Sequence, residues 1–410
     1  MATPRTVSSA KRVGAGPGND LDAPTIPATL GPPERGRREI VAVVVALALL
    51  GLFLAFAEGS FNNYRLQLVT LVAINAVVAV ALTVTSGFTG VFSLGQIGFL
   101  AIGAYVGALL TIPPQWKGEM FLPGLPAWLA ALDLSGWPPQ AALLVACLAG
   151  GMVAAAVAVL VGAPLMRLSG HYVAVATMGF LIIVNSVAIN WDTVTRGARG
   201  LSQIPNLTNA WVAYAWGLLT VYAAWRLRVS PYGRAMIASR ENLIAARAVG
   251  VDVLRTRLLA FVVGAFFTGV AGSLLAHQIG TVAPSAFYFT TTFNVIIMVV
   301  LGGMGSISGA VVGAAILTLA PEYLRDVEDG LDLGVFSFGA LFGLSQIILA
   351  VCFILVMVFR PQGLFGDREI GLGILGRRGA NAAPGPADEI TPELAPGLGD
   401  EPEDGGGGTR

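Results

Sequence analysis

Charge is what this sequence most lacks. Asp, Glu, Lys and Arg together make up 12% of its 410 residues, against about 25% in a typical soluble chain. So few charges cannot cover a water-facing surface of this size, which excludes a soluble fold. Cysteine is nearly missing: Cys147 and Cys352 each lie in an apolar segment, where a thiol behaves as a small hydrophobe. Their spacing supports neither a disulfide framework nor a metal site. The formal net charge is +0, so nothing argues for a nucleic-acid partner. No G-x-x-x-x-G-K-[ST] phosphate cradle occurs, no H-E-x-x-H, and no Ser/His/Asp set in a supporting context. The chain therefore does not read as a P-loop ATPase or as any enzyme, and it calls for no cofactor.

What is abundant is uninterrupted apolar sequence. Hydrophobic residues make up 55% and the mean hydropathy is +0.75. From Leu66 to Trp116 there is no charged residue, and about 20 apolar residues suffice to cross a bilayer as a helix. The runs are continuous rather than alternating, which favours helices over a closed barrel. The expected fold is an all-α polytopic membrane protein of about 8–10 transmembrane helices. Spans are expected near 40–57, 66–85, 92–112, 140–163, 171–190, 209–227, 257–277, 291–303, 309–321 and 339–359. The pair at 291–321 reads either as two short tilted helices or as a re-entrant hairpin buried among the others. Residues 1–38 and 376–410, rich in Pro and Gly and without periodicity, read as disordered cytosolic tails flanking a membrane domain at 39–366.

Basic residues set the orientation. Arg35, Arg37 and Arg38 precede the first span; Arg226, Arg228, Arg234, Arg240, Arg247, Arg255 and Arg257 follow the sixth; Arg360, Arg368, Arg377 and Arg378 follow the last. All three groups fall on one side of an even-numbered topology, so both termini are expected in the cytosol. Glu322, Asp326, Glu328, Asp329 and Asp332 fall in a loop on the opposite side. No Asp or Glu lies within a span, which argues against a proton-coupled carrier. Asn75, Gln96, Thr177, Asn185 and Gln346 are expected to hydrogen-bond between helices. Trp191 and Trp211 are expected at the interface, as are His171 and His277.

The basic loop at 229–256 is the most informative stretch. It reads as a short helix from about Arg240 to Val249, with Glu241 in the first turn favouring the helix dipole. Ala245 and Ala246 form a low face that a partner can approach, and Gly250 supplies the positive φ of a helix end. A plain solvated helix is the competing reading.

Glu241, Ala245, Ala246 and Gly250 resemble the E-x-x-x-A-A-x-x-x-G loop of ABC importer permeases. Phe88-Thr89-Gly90, Ser93-Leu94-Gly95-Gln96 and Gly103-Ala104-Tyr105 resemble the branched-chain amino acid permease family. So do Gly170-His171-Tyr172-Val173-Ala174 with Thr177 and Phe180, Leu301-Gly302-Gly303-Met304-Gly305 with Gly309, and Arg360-Pro361-Gln362-Gly363-Leu364. The resemblance covers roughly residues 60–366 and fits the LivM-type subunit. It implies a permease subunit of an ATP-driven importer in the bacterial cytoplasmic membrane. Its implied partners are a second permease subunit forming a heterodimer, two cytosolic ABC ATPase subunits, an extracytoplasmic solute-binding protein and membrane lipid. The loop residues Arg240, Glu241, Ala245, Ala246 and Gly250 would then couple to an ATPase subunit.

Gly90, Ser93, Gly95, Gln96, Tyr172, Thr177, Gly302, Gly303 and Gly305 read either as lining of the pathway or as close helix packing. One departure is Arg196 and Arg199 in Thr195–Leu201, which resembles a T-G-G-x-x-G-[LI] outer loop. Related permeases import urea and short amides, so that substrate class stays open. Outside the family the alternatives are a self-contained ion-coupled carrier or channel, and a membrane scaffold that moves no solute.

The charge asymmetry can be tested on its own. A cysteine introduced within 229–256 should resist an impermeant thiol reagent added to intact cells, and rapid labelling there would place the loop on the outer side.

Overall fold

The computed structural model of the protein describes residues 35–121, 126, 133–168, 170–328, 344–360 and 362–366. The long helices are α1 (Arg35–Ser60), α2 (Asn63–Leu82), α3 (Gln96–Thr111), α5 (Pro139–Leu165), α6 (His171–Asn190), α8 (Ala210–Val229), α11 (Val253–Ile279), α12 (Phe289–Gly302), α13 (Ile307–Glu328) and α14 (Leu344–Phe359). Short helices α4 (Pro114–Met120), α7 (Asp192–Thr195), α9 (Pro231–Glu241) and α10 (Leu243–Ala248) lie between them. Among the described residues no strand forms; a lone antiparallel bridge joins Leu201 to Val282. Contacts divide the chain at Ala48/Leu49 within α1. The first unit contributes exposed Val44, Val45 and Leu47, and the second carries everything that follows.

Local sequence explains where the helices begin. Pro114, Pro139 and Pro231 occupy first helical positions, where a missing N–H costs nothing. Asn209, Ser230, Asn242 and Asp252 accept hydrogen bonds from backbone N–H groups of the helices they precede.

Among the described residues six helical segments are long and apolar enough to cross a membrane, and α3 and parts of α1 and α14 are shorter apolar helices. Helix α8 has 20 residues, about 30 Å at 1.5 Å per residue. Each expected span thus has a helix. The main correction lies at 92–95, expected inside a span but non-helical. Helix α12 (Phe289–Gly302) starts just before the expected 291–303 and ends just short of its limit, whereas α13 (Ile307–Glu328) runs past both ends of the expected 309–321. The turn between them meets the end of α2 at Gly87, while Glu322 of α13 accepts from Tyr64 Oη, 2.6 Å, at the start of α2. Helix α13 therefore follows α2 along its length, which two tilted crossings require and a half-depth hairpin does not. The expected N-terminal tail, 1–38, overlaps the start of α1 at Arg35. The rest of that tail, the 376–410 tail and residues 339–343 of the last span lie outside the described residues.

Helix α11 is the centre of the second unit and packs against α2, α3 and α5. Small residues let these backbones meet. A Cβ on Gly103 of α3 would collide with the Gly269 backbone, and one on Gly150 of α5 with Ser273 Oγ. Ser273 Oγ donates to the Gly103 carbonyl, 2.8 Å. Lipid supplies no hydrophobic drive between helices, so such close approach and interhelical hydrogen bonding hold them together. Alongside, Phe99 packs between Phe180 and Phe261, with ring centroids 4.8 and 5.2 Å away. The outer surfaces of α1, α5, α6 and α14 expose large apolar side chains such as Phe56, Leu160, Ile183 and Val358. A soluble monomer does not carry apolar area on this scale; lipid and partner helices can cover it.

Gly103→Ala should destabilise the protein by about 2 kcal/mol through overpacking, read as a lower melting temperature in detergent. Gly179→Ala, where a Cβ meets nothing within 4 Å, should be neutral or stabilising by up to about 1 kcal/mol from helix propensity alone.

Candidate functional site

The site begins where α2 fails to continue. Its last turn widens into a π turn, Thr83–Gly87, in which Phe88 N–H bonds the Thr83 carbonyl at 3.1 Å. Such turns hold an extra residue and recur at functional positions. The chain then runs without helix to Gly95. Irregular backbone at membrane depth survives only where protein covers it, and here Thr85, Ser86, Thr89 and Ser93 are buried. Ser93 N–H donates to Ser86 Oγ, 3.2 Å. Leu94 N–H donates to Thr177 Oγ1, 3.0 Å, and Thr177 Oγ1 donates to Ala174 O, 2.9 Å. Gly95 lies so close to α6 that a Cβ would stand 2.7 Å from the Thr177 carbonyl oxygen. Gln96 Nε2 donates to Thr268 Oγ1 of α11, 2.5 Å.

The structure thus brings Gly90, Ser93, Gly95, Gln96 and Thr177 into one neighbourhood. Tyr172 does not belong to it: it is 74% exposed, one turn and more from Thr177 along α6.

A second break faces the first. Between α12 and α13 the chain turns at Gly303–Ser306. Gly302 packs backbone to backbone against Gly309, and a Cβ at Gly87 would collide with the Met304 carbonyl. Gly303 has φ +115° and abuts the Gly366 backbone. The closing segment bonds back to the same place, Leu364 N–H to Leu301 O at 2.9 Å and Phe365 N–H to Gly302 O at 3.1 Å. Of the two readings of these glycines, close packing is the one this geometry gives Gly302 and Gly303. Gly305 differs: its carbonyl accepts from Arg228 Nη1, 3.3 Å.

The basic loop closes over the first break, and the end of α8 over the second. Arg240 Nη1 donates to the Gly87 carbonyl, 2.9 Å. The stem of Arg240 fills the space beside Gly90, where a Cβ would lie 2.7 Å from Arg240 Cγ and where φ is +69°. Arg228, from the end of α8, sits with its guanidinium 5.9 Å from the Phe88 ring centroid. Two arginines therefore hold backbone carbonyls of the two glycine-rich breaks.

The loop departs from the expected single helix. Asn242 (φ −148°, ψ 106°) interrupts it, ending α9 at Glu241 and starting α10 at Leu243; its side chain accepts from Ile244 and Ala245 N–H, each 3.0 Å. Glu241 is therefore the last residue of α9 rather than part of a first turn. The helix dipole does not favour a carboxylate there, and Arg240 Nη2 pairs with its Oε1 at 3.0 Å instead. The alanine pair divides as well: Ala245 is exposed while Ala246 is buried. Gly250 has φ +85°; its N–H bonds Arg247 O and Val251 N–H bonds Ala246 O, each 3.0 Å, the paired bonds of a Schellman end. Outward from this short helix stand Ile244 and Val249, 81% and 79% exposed.

Other polar residues fall as their types suggested. Asn75 Nδ2 donates to Thr318 Oγ1, joining α2 to α13, and Asn185 Nδ2 to Pro284 O in the 3-10 turn before α12, each 2.8 Å. Gln96 joins α3 to α11, while Thr177 ties α6 to the non-helical stretch; the Gln346 side chain lies outside the described ones. Trp191 and Trp211 are exposed, and Trp211 Nε1 donates to Glu58 Oε2, 2.9 Å. His171 is exposed, but His277 is not interfacial. It is fully buried between Thr111 Oγ1, 2.8 Å, and the Ser273 carbonyl, 2.6 Å. Arg196 takes a left-handed φ of +61° and Arg199 is exposed. Among the described residues no group of three or more His, Cys, Asp or Glu could hold a metal ion. Sequence reasoning missed the π turn and the inward hydrogen bonds of Arg228 and Arg240. The Asn242 break did leave a signal, an Asn immediately before Leu-Ile-Ala-Ala.

The family model for the branched-chain amino acid transport system / permease component matches residues 64–357. The high-affinity branched-chain amino acid transport system permease protein LivM of Salmonella typhimurium is 33% identical over 248 residues, 52% of this chain and 55% of that protein. LivM of Escherichia coli gives the same figures. The LivH permease protein of Escherichia coli is 31% identical over 201 residues, 44% of this chain and 60% of that protein. The chain thus spans about half the length of the LivM relatives it matches. No solved structure matches it.

Thr177→Val should leave the Leu94 N–H without its acceptor and cost about 1–2 kcal/mol. A thermal shift no larger than that of Gly179→Ala would contradict the bond.

Proposed function

We propose that this chain, which belongs to the branched-chain amino acid transport system / permease component family, is the permease subunit of an ATP-driven importer of branched-chain amino acids. The basic loop faces the cytosol together with both termini, in a bacterial cytoplasmic membrane. The chain carries no phosphate cradle of its own, so the energy enters through two separate ATPase subunits. A second, related permease subunit completes the pathway, and an extracytoplasmic binding protein delivers the amino acid. The chain itself catalyses no reaction.

The single observation that carries this reading is the two-faced loop at 229–256. Its outward side presents Ile244, Ala245 and Val249 on a capped one-and-a-half-turn helix. Exposed aliphatic residues beyond the membrane-spanning helices are costly unless another protein covers them. Its inward side is anchored at the first break by Arg240, and Arg228, at the end of the helix that leads into it, bonds the second. Ala246, buried beneath, supports the helix rather than meeting a partner. A surface that docks a motor and is fixed to the permease core can convert closure of an ATPase pair into rigid-body movement of packed helices.

Reconstituted with the second permease subunit, the ATPase subunits and the matching binding protein, the complex should take up leucine only with ATP, and in preference to urea and short amides. Uptake persisting without any nucleotide-binding subunit would refute the importer reading. Ile244→Asp and Val249→Asp should each reduce co-purifying ATPase about tenfold or more, as expected for an apolar anchor in an interface, while the two permease subunits stay associated.

A further inference from the structure

We infer that Arg240 is the residue that transmits movement of the loop to the broken end of α2, a role separable from docking of the ATPase. The inference rests on the reading of the 229–256 loop as the ATPase-coupling element. Helix α9 is firmly seated, with Met236 and Ser239 buried. From its last turn, Arg240 reaches from the loop to the core and meets the break at the end of α2. There its guanidinium donates to Gly87 O at 2.9 Å, and its stem lies beside Gly90. The backbone is shaped around this side chain: any Cβ at Gly90 would lie 2.7 Å from Arg240 Cγ, and φ there is +69°. Glu241, 3.0 Å from Arg240 Nη2, orients the guanidinium from the loop side.

The element that Arg240 holds has two discrete arrangements available. A π turn contains one residue more than an α turn, so Thr83–Gly87 can return to α geometry only by passing a residue into the non-helical stretch. That step shifts Ser86, Gly87 and Phe88 relative to the Gln96–Thr268 bond that fixes α3 to α11 and the Leu94–Thr177 bond that ties the non-helical stretch to α6. It also shifts them against the Met304 carbonyl that touches Gly87. A two-state element biased from a second site is the physical requirement for coupling over distance. Arg240 sits where movement of the loop can bias it.

Arg240→Ala and Arg240→Lys test this in the reconstituted complex, with ATPase co-purification, ATP hydrolysis and leucine uptake measured on one preparation. In Arg240→Ala the ATPase subunits should co-purify as in the wild type and hydrolysis should persist, while leucine taken up per ATP falls about tenfold, the weight of one charge-assisted hydrogen bond. Arg240→Lys, which retains a charged donor on a long stem, should recover a substantial part of that ratio. An uptake-to-hydrolysis ratio for Arg240→Ala within about twofold of wild type, less than a hydrogen bond's worth, overturns the inference. So does loss of the ATPase subunits, which would make Arg240 a docking residue. Failure of the wild-type complex to bind ATPase subunits at all would instead overturn the importer reading, before either variant is compared.

Discussion

A guanidinium donating to the carbonyl of an interrupted helix is the contact on which the rest of this structure depends. A helix end leaves carbonyls without partners, and burying such a group unpaired costs several kcal/mol in an apolar medium. The π turn of α2 and the turn after α12 place two such ends together, at Gly87 and Gly305. Arg240 and Arg228 satisfy them. A charged donor is stronger than a neutral one. The breaks can therefore stay irregular without unravelling; Arg240 holds the loop to the first, and Arg228 holds the end of α8 to the second.

The glycines make that arrangement possible in two different ways. Gly87, Gly95 and Gly302 let backbones approach where a Cβ would collide, whereas Gly90 and Gly303 adopt positive φ. Around them α11 supplies a rigid partner, with Ser273, Thr268 and Gly269 meeting α3 and α5 through hydrogen bonds and backbone contact. Polar side chains such as Asn75, Gln96 and Ser273 thus bond one helix to another, while outward positions such as Phe56, Leu160 and Ile183 are apolar.

Much of the fold was legible because lipid imposes a simple rule: long apolar runs must be helices. The expected span at 171–190 coincides with α6, and that at 140–163 differs from α5 by a residue or two. Residues 92–95 were misjudged because Val91, Phe92 and Leu94 look like span residues, while the π turn before them has no composition of its own. The start of α12 and the end of α13 were underestimated because Thr291 and Glu322 read as ends. At the site, the residue types were visible and their pairing was not. Gln96 announced an interhelical bond, but nothing in sequence tells that Arg240 turns inward to a carbonyl 153 positions away. Histidine illustrates the same limit: His277 near a helix end reads as interfacial, yet Thr111 and Ser273 enclose it.

The bond between Arg240 and the Gly87 carbonyl can be weakened from the carbonyl side. Replacing Phe88 by its α-hydroxy acid converts the peptide bond after Gly87 into an ester, whose carbonyl is a poorer acceptor. The same change removes the Phe88 N–H bond to Thr83, so it is compared in the wild type and in Arg240→Ala, as a cycle. The account predicts that the ester lowers thermal stability markedly in the wild type and by at least about 1 kcal/mol less when Arg240 is absent, the worth of a charged hydrogen bond. Equal losses in the two backgrounds would show that Arg240 does not hold the break.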